Sequence, residues 1–307
     1  MKQLLKAFCL LISIPLLACQ QNKNKSINQT APINQKEAAA TTKQFSDYWY
    51  NGKAELNSYE LKQSRYGEMR DGEVVLVFVT EPFSISKQVK LDNPDDAGKD
   101  NISVMKLNNI RKFNTGIYDY SVLSSTFTPI DFYNYPNTLK SNMSIQEWCG
   151  QTYTQLNLKG KNYQYQQFSY FESEGDIEKN IPKAMLEDEL MTRIRINNGQ
   201  LPLGEIDIIF STLYSRLAHK ELKVNKAKIS KTESETVINY TINYPSIERK
   251  ITIDVEKAFP YKILSFTEDD GSGLITEAKL KKTLIEPYWN QNSVVDEAKR
   301  KELQLMK

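Results

Sequence analysis

The chain of 307 residues contains a single histidine, His219, and three cysteines. A Ser-His-Asp triad would have to use His219, and no Gly-x-Ser-x-Gly turn accompanies it. His219 closes the apolar helical pattern of Leu217-Ala218-His219-Lys220 and reads as a solvated residue at a helix end, near a favourable dipole. A zinc site of the usual histidine and cysteine type lacks ligands, and Asp269-Asp270-Gly271-Ser272-Gly273 lacks the spaced acids of a calcium loop and suits a hairpin turn. No metal and no cofactor is expected. An excess of charge of one sign is missing too. The 40 Lys and Arg nearly balance 38 Asp and Glu, so there is no basic footprint for nucleic acid and no polybasic run for an anionic lipid surface. The apolar run Ala7 to Leu17 falls short of the roughly 20 residues that span a bilayer.

That run, preceded by Lys2 and Lys6, has the form of an export signal. It ends in Leu16-Leu17-Ala18-Cys19, which resembles the lipobox of bacterial lipoproteins. The resemblance implies cleavage between Ala18 and Cys19 and acylation of Cys19, palmitate included. Each buried methylene of such chains contributes about 0.8 kcal/mol, and two chains already anchor stably. Residues 1–18 are therefore expected to be a lipoprotein signal peptide, and the +2 formal charge belongs to its two lysines. Cys9 leaves with the signal and lipid occupies Cys19, so Cys149 has no partner for an internal disulfide, although an oxidising envelope would permit one.

Residues 19–44 are rich in Gln, Asn, Lys, Ser, Thr and Ala and poor in apolar side chains. Such a segment buries too little surface to offset its ordering entropy and reads as a flexible tether. Gln20 and Gln21 follow Cys19 with no aspartate, which by resemblance to lipoprotein sorting patterns implies the outer membrane, with the folded part facing the periplasm. The remaining 45–307 are expected to form a β-rich domain, with two subdomains meeting near 175–200 as one option.

Within it, Phe45 to Tyr50 reads as an aromatic core plug. Tyr59, Leu61, Gln63 and Arg65 share one face of a strand, and Asp71-Gly72 signals a hairpin before the apolar run Val74 to Val79. Further strands are expected over 87–91, 103–107, 118–128 and 145–158, the last pairing with 163–171 across Gly160; residues 92–101 form a surface loop. Pro182 with Leu186, Leu190 and Ile194 predicts a helix ended by Asn197-Asn198-Gly199, and 205–219 a short strand running into a helix. From Leu222 an antiparallel meander follows, closed by a short helix capped by Ser293 and Asp296. The expected fold is mainly β with α: an antiparallel curved sheet or open barrel carrying two packed helices.

The most unusual short segment is Gln146-Glu147-Trp148-Cys149-Gly150-Gln151. Read as a strand, it puts Glu147, Cys149 and Tyr153 on one face and Trp148 on the other. A ligand pocket of Glu147, Trp148, Cys149, Tyr153, Tyr163 and Tyr165 is one reading, plain sheet packing another, and a Cys149 nucleophile beside Glu147 a third. The third has no local base or cation to lower the thiol pKa.

The segments YWYNGKAELNSYELKQSRYGEMRDGEVVLVFVTE, KFNTGIYDYSVLSSTFTPID and QEWCGQTYTQLNLKG resemble a bacterial lipoprotein family that carries the label septum formation inhibitor Maf. The resemblance runs over most of the chain after the tether and implies no activity. True Maf proteins are cytosolic nucleotide pyrophosphatases with an N-terminal Ser-x-Ser-x-Arg-Arg signature; this chain has an export signal there and no Arg-Arg pair. The expectation is a noncatalytic, lipid-anchored module that binds an envelope protein or an apolar ligand through a concave β surface. The alternatives are a periplasmic hydrolase using dispersed carboxylates or Cys149, and a purely structural role in the envelope.

Overall fold

The computed structural model describes residues 42–305. The expected signal peptide, Ala18, Cys19 and nearly all of the expected tether lie outside the described residues. Folded structure starts slightly before the expected boundary at 45, with helix α1 (Lys43–Trp49), whose first turn is capped by the Thr42 hydroxyl accepting from the Phe45 amide at 3.1 Å. Phe45 and Trp49 are buried in the main core, as the plug reading requires.

Eight strands follow: β1 (Ala54–Arg65), β2 (Glu68–Ser84), β3 (Asn101–Thr115), β4 (Tyr118–Pro129), β5 (Lys140–Glu147), β6 (Gly150–Lys159), β7 (Asn162–Ser169) and β8 (Ile177–Pro182). Seven more come after them: β9 (Met185–Leu186), β10 (Gly204–Ile209), β11 (Val224–Glu233), β12 (Val237–Tyr244), β13 (Arg249–Glu256), β14 (Ile263–Asp269) and β15 (Ile275–Glu286). Helices α2 (Leu190–Ile196) and α3 (Thr212–Leu217) flank β10, and α4 (Ala298–Glu302) follows β15. All strands belong to one sheet, ordered β8-β7-β6-β5-β4-β3-β2-β1-β15-β14-β13-β12-β11-β10-β9. Every pairing is antiparallel except β9 with β10. That parallel pair needs a crossover, which α2 supplies.

The two strands at opposite ends of this order, β8 and β9, are consecutive in the chain, with only Lys183 and Ala184 between them. Three peptide steps span at most about 11 Å. The sheet therefore curls until its ends nearly meet, an open barrel whose two end strands are tied by the backbone rather than by a hydrogen-bond ladder. One core cluster runs through both halves, from Phe78 and Met105 through Tyr163 to Ile253 and Phe266, and takes in Ile194 and Ile196 of α2 and Leu213 of α3. The expected change near 175–200 is the chain crossing from one end of the sheet to the other, and no core boundary falls there.

Strand alternation sorts side chains cleanly. Phe78, Leu76 and Val74 of β2 point inward; Val77 and Val79 point outward, where Leu56, Leu303 and Leu305 cover them. The Asp71-Gly72 hairpin is corrected: the turn is Tyr66-Gly67, and Gly72 lies inside β2 opposite Leu61 and Phe113. A Cβ there would sit 2.4 Å from the Lys112 carbonyl oxygen, so Gly72 serves close strand approach and not a turn. The expected strand over 87–91 is a turn with one bridge at Lys90. The helix from Pro182 is shorter than its pattern, because Pro182 ends β8 and Leu186 ends β9 before α2 begins at Leu190.

Inside the barrel the chain buries charge, most of it in ion pairs. Glu55 and Arg195 are fully buried and joined by two contacts of 2.7 and 2.5 Å. Asn57 donates to Glu55 at 2.8 Å, Tyr48 donates to its other oxygen, and Arg195 Nε donates to the Pro260 carbonyl at 2.8 Å. The guanidinium also lies 4.6 Å from the Phe78 ring centre and 5.0 Å from that of Trp49. Burial alone would raise the Glu55 carboxyl, but the adjacent Arg195 charge outweighs it and holds the group below the usual carboxylate value. Removing one partner leaves a buried charge alone. Glu55→Ala and Arg195→Ala are each expected to lower the unfolding free energy by about 3–5 kcal/mol in urea titrations, and the apolar pair Glu55→Leu with Arg195→Met to lose less than either.

Candidate functional site

The six residues expected to form a pocket do not come together. The predicted strand 145–158 is two strands, with Trp148-Cys149 as a two-residue hairpin turn between Glu147 and Gly150. Trp148 is exposed, its indole donating to Asp119 at 2.9 Å, and Glu147 accepts from the Cys149 amide at 2.8 Å. The Cys149 thiol is exposed, and the hydrogen bond and charge of Glu147 push its pKa up, the opposite of nucleophile activation. On β6 and β7, Leu156 faces Tyr165 and Leu158 faces Tyr163, whereas Tyr153 faces Phe168. Tyr163 and Tyr165 are thus inside, bonded to the Thr138 carbonyl at 2.8 Å and to Gln167 at 2.6 Å, and Tyr153 and Phe168 are partly exposed on the other face. Burial and the Glu174 charge raise the Tyr165 hydroxyl to about 12. His219 follows the end of α3 with φ of 51° and contacts Glu174 at 2.8 Å, as a solvated helix-end residue should. Among the described residues no group of three or more potential metal ligands occurs.

The concave interior is filled. The segment Glu187-Asp188-Glu189 runs inside it, each acid with its own partners. Glu187 pairs with Arg249 at 2.5 Å and accepts from Tyr244 at 2.5 Å. Glu189 pairs with Arg193 at 3.1 Å. Across the barrel, Arg111 of β3 grips Glu268 of β14 at 2.6 and 2.9 Å. Between these groups is a chamber of about 50 Å³, bordered by Asn109, Arg111, Glu187, Asp188, Phe266 and Glu268 among others. Small-molecule sites occupy roughly 300–1,000 Å³, so this chamber has room for water and not for the apolar ligand expected in the concavity. Arg111 Nε and Asn109 Oδ1, both at this chamber, find no protein partner, which suits ordered water.

Asp188 differs from its neighbours in making no ion pair among the described residues. One oxygen accepts from Ser141 at 2.9 Å and from the Thr212 hydroxyl and amide at 3.0 and 3.3 Å. Burial and the Glu187 charge raise its pKa despite these bonds.

A larger opening lies outside, on the rim where α1 enters the sheet. It has a volume of about 400 Å³ and is bounded by the end of α1 (Trp49, Tyr50), by Gly52 and Lys53, by Val79 to Pro82 of β2, by Lys90 and Lys106, and by Tyr288 and Trp289. Its position follows from alternation: Phe78 and Leu107 face the core, so their neighbours Val79 and Lys106, paired across β2 and β3, face out. Gly52, with φ of 74°, turns the chain from α1 into β1. The Tyr50 hydroxyl meets Ser103 at 3.0 Å and Thr80 donates to the Trp49 carbonyl at 2.5 Å, fixing this wall to the sheet. Tyr50, Tyr288 and Trp289 remain 49, 37 and 46 % exposed, and the last two meet edge to face at 5.5 Å. The plug reading of 45–50 suits Phe45 and Trp49 but not Tyr50, and sequence reasoning missed Tyr288-Trp289. Two adjacent amphipathic aromatics after Pro287, beyond the last strand, were the available signal.

The interior acid yields a pH test. Because the folded pKa of Asp188 lies above its ordinary 3.8, the neutral form fits best, and the cost of ionising it grows as pH rises through the folded value. Asp188→Asn can offer its carbonyl oxygen to the same three donors without charge. The variant is expected to be more stable than the parent at pH 7, with the gap closing towards pH 4; thermal melts across this range read it. Comparison of the chain with protein-family models, with curated proteins and with solved structures finds no match.

Proposed function

We propose that this protein is a noncatalytic binding lipoprotein of the cell envelope, held by acylated Cys19 at the outer membrane and facing the periplasm, with the rim cleft as its binding site. The observation that carries the reading is the cleft itself. Its volume of about 400 Å³ falls in the range of ligand sites, and tyrosine and tryptophan are the side chains that most often anchor a partner. Two further features support it. The interior chamber beside Asp188 holds only about 50 Å³, and Cys149, with its thiol pKa raised by Glu147, lacks the surroundings of an activated nucleophile. Among the described residues no helix is long and apolar enough to cross a membrane. The likeness to the lipoprotein family labelled Maf supports the envelope assignment and nothing enzymatic.

Two experiments test this. Cys19→Ala should abolish metabolic palmitate labelling and release the chain from the membrane fraction; retained label would remove the anchor. A photo-crosslinking residue at position 289 of the lipoprotein in its own membranes should capture a defined envelope component, and Tyr50→Ala should cut the yield about tenfold, near 1.4 kcal/mol of binding. Capture from position 148 instead, or yields indifferent to Tyr50, would place the binding surface elsewhere.

A further inference from the structure

We infer that the rim cleft takes an anionic saccharide, a sugar ring bearing a phosphate or a carboxylate. This rests on the binding reading above and adds the chemical class of the ligand. The charge of the lining is the first argument. Lys53, Lys90 and Lys106 border the cleft against one acid, Glu81. Glu81 is already neutralised by Lys106 at 2.8 Å, with both side chains shielded from solvent. Lys53 and Lys90 make no direct ion pair among the described residues; Lys53 acts on Glu286 from a distance, but Glu286 is already held by Lys299 at 3.0 Å, so the cleft lining is net positive. A neutral apolar ligand would gain nothing from this charge.

The second argument is the kind of apolar surface present. An acyl chain is best matched by a long aliphatic groove, whereas the cleft supplies only Val79 and Pro82 as aliphatic lining and three half-exposed rings, Tyr50, Tyr288 and Trp289. Such rings offer a flat apolar face with a polar edge. A pyranose has the matching construction, with C–H groups on its faces and hydroxyls around its rim. Ring and anion together describe a phosphorylated or carboxylated sugar, whether free, polymeric or on a lipid headgroup.

The test uses the full-length acylated protein in detergent micelles, titrated by calorimetry with glucose 1-phosphate, glucuronate, glucose and inorganic phosphate. The two anionic sugars should bind saturably and at least about tenfold more tightly than glucose or phosphate alone, with affinity falling as salt rises. Lys53→Gln with Lys90→Gln should remove the preference over glucose, and Trp289→Ala the preference over phosphate, with melting temperatures unchanged. Displacement of glucose 1-phosphate by micellar lipid A, a phosphorylated disaccharide on acyl chains, would identify a lipid-borne source; no displacement would leave the free or polymeric sugar. Equal binding of glucose, equal binding of phosphate, binding only to phosphatidylglycerol vesicles, or no binding at all would overturn the inference. If titrations fail while crosslinking from position 289 succeeds, the ligand class is wrong and the site stands; if both fail, the binding reading falls with it.

Discussion

The two-residue link between β8 and β9 is the constraint on which this structure depends. It ties the ends of a fifteen-stranded sheet together without pairing them, and it sends the chain from the end of the sheet directly into the barrel interior. What enters there is Glu187-Asp188-Glu189, a sequence that elsewhere would sit on a surface. Buried carboxylates cost several kcal/mol each unless paired, and the interior accordingly holds Arg249 and Arg193 against two of the three, with Arg195 on Glu55 and Arg111 on Glu268. Apart from Glu189 with Arg193, four residues on, these pairs join elements far apart in sequence. Arg111 with Glu268 spans β3 to β14, and Arg195 with Glu55 ties α2 to β1.

Filling the concavity in this way leaves the larger opening on the outside. A curved sheet of this size could enclose a ligand, but α2, α3 and the acidic segment occupy the space and leave a water-sized chamber. The rim near α1 is different because three connections converge there: the turn after α1, the outward face of β2 and β3, and the chain leaving β15. Each contributes residues whose alternation or turn geometry faces them away from the core. The cleft is a by-product of where these connections meet, which is why its lining comes from segments as distant as Tyr50 and Trp289.

The β-rich class, the open barrel, the two central helices and the meander from Leu222 were legible in the sequence because each rests on local periodicity or turn chemistry. The capping box of Ser293 and Asp296 was legible for the same reason. The errors have a common cause. Asp71-Gly72 carries a hairpin signal, but the neighbouring Tyr66-Gly67 takes the turn, and close approach of β3 claims Gly72. Trp148-Cys149 lacks the usual turn residues, so two strands read as one, and the pocket inferred from that alternation dissolves. The Leu186, Leu190 and Ile194 spacing matched a helix, while parallel pairing with β10 drew Met185 and Leu186 into the sheet. Buried arginines were invisible for a stronger reason: arginine defaults to the surface, and only a distant carboxylate reverses that. The candidate site was less legible still, since no local signal announces that residues 50, 90, 106 and 289 share one opening.

Amide hydrogen exchange of the lipoprotein in its native envelope, compared with the purified protein in detergent, tests the central claim most directly. The account predicts that protection gained in the envelope is confined to residues 49–53, 79–82, 106 and 288–289, with the interior strands unchanged. Protection gained at the Trp148-Cys149 hairpin or along Tyr163 and Tyr165, with the rim unaffected, would contradict it.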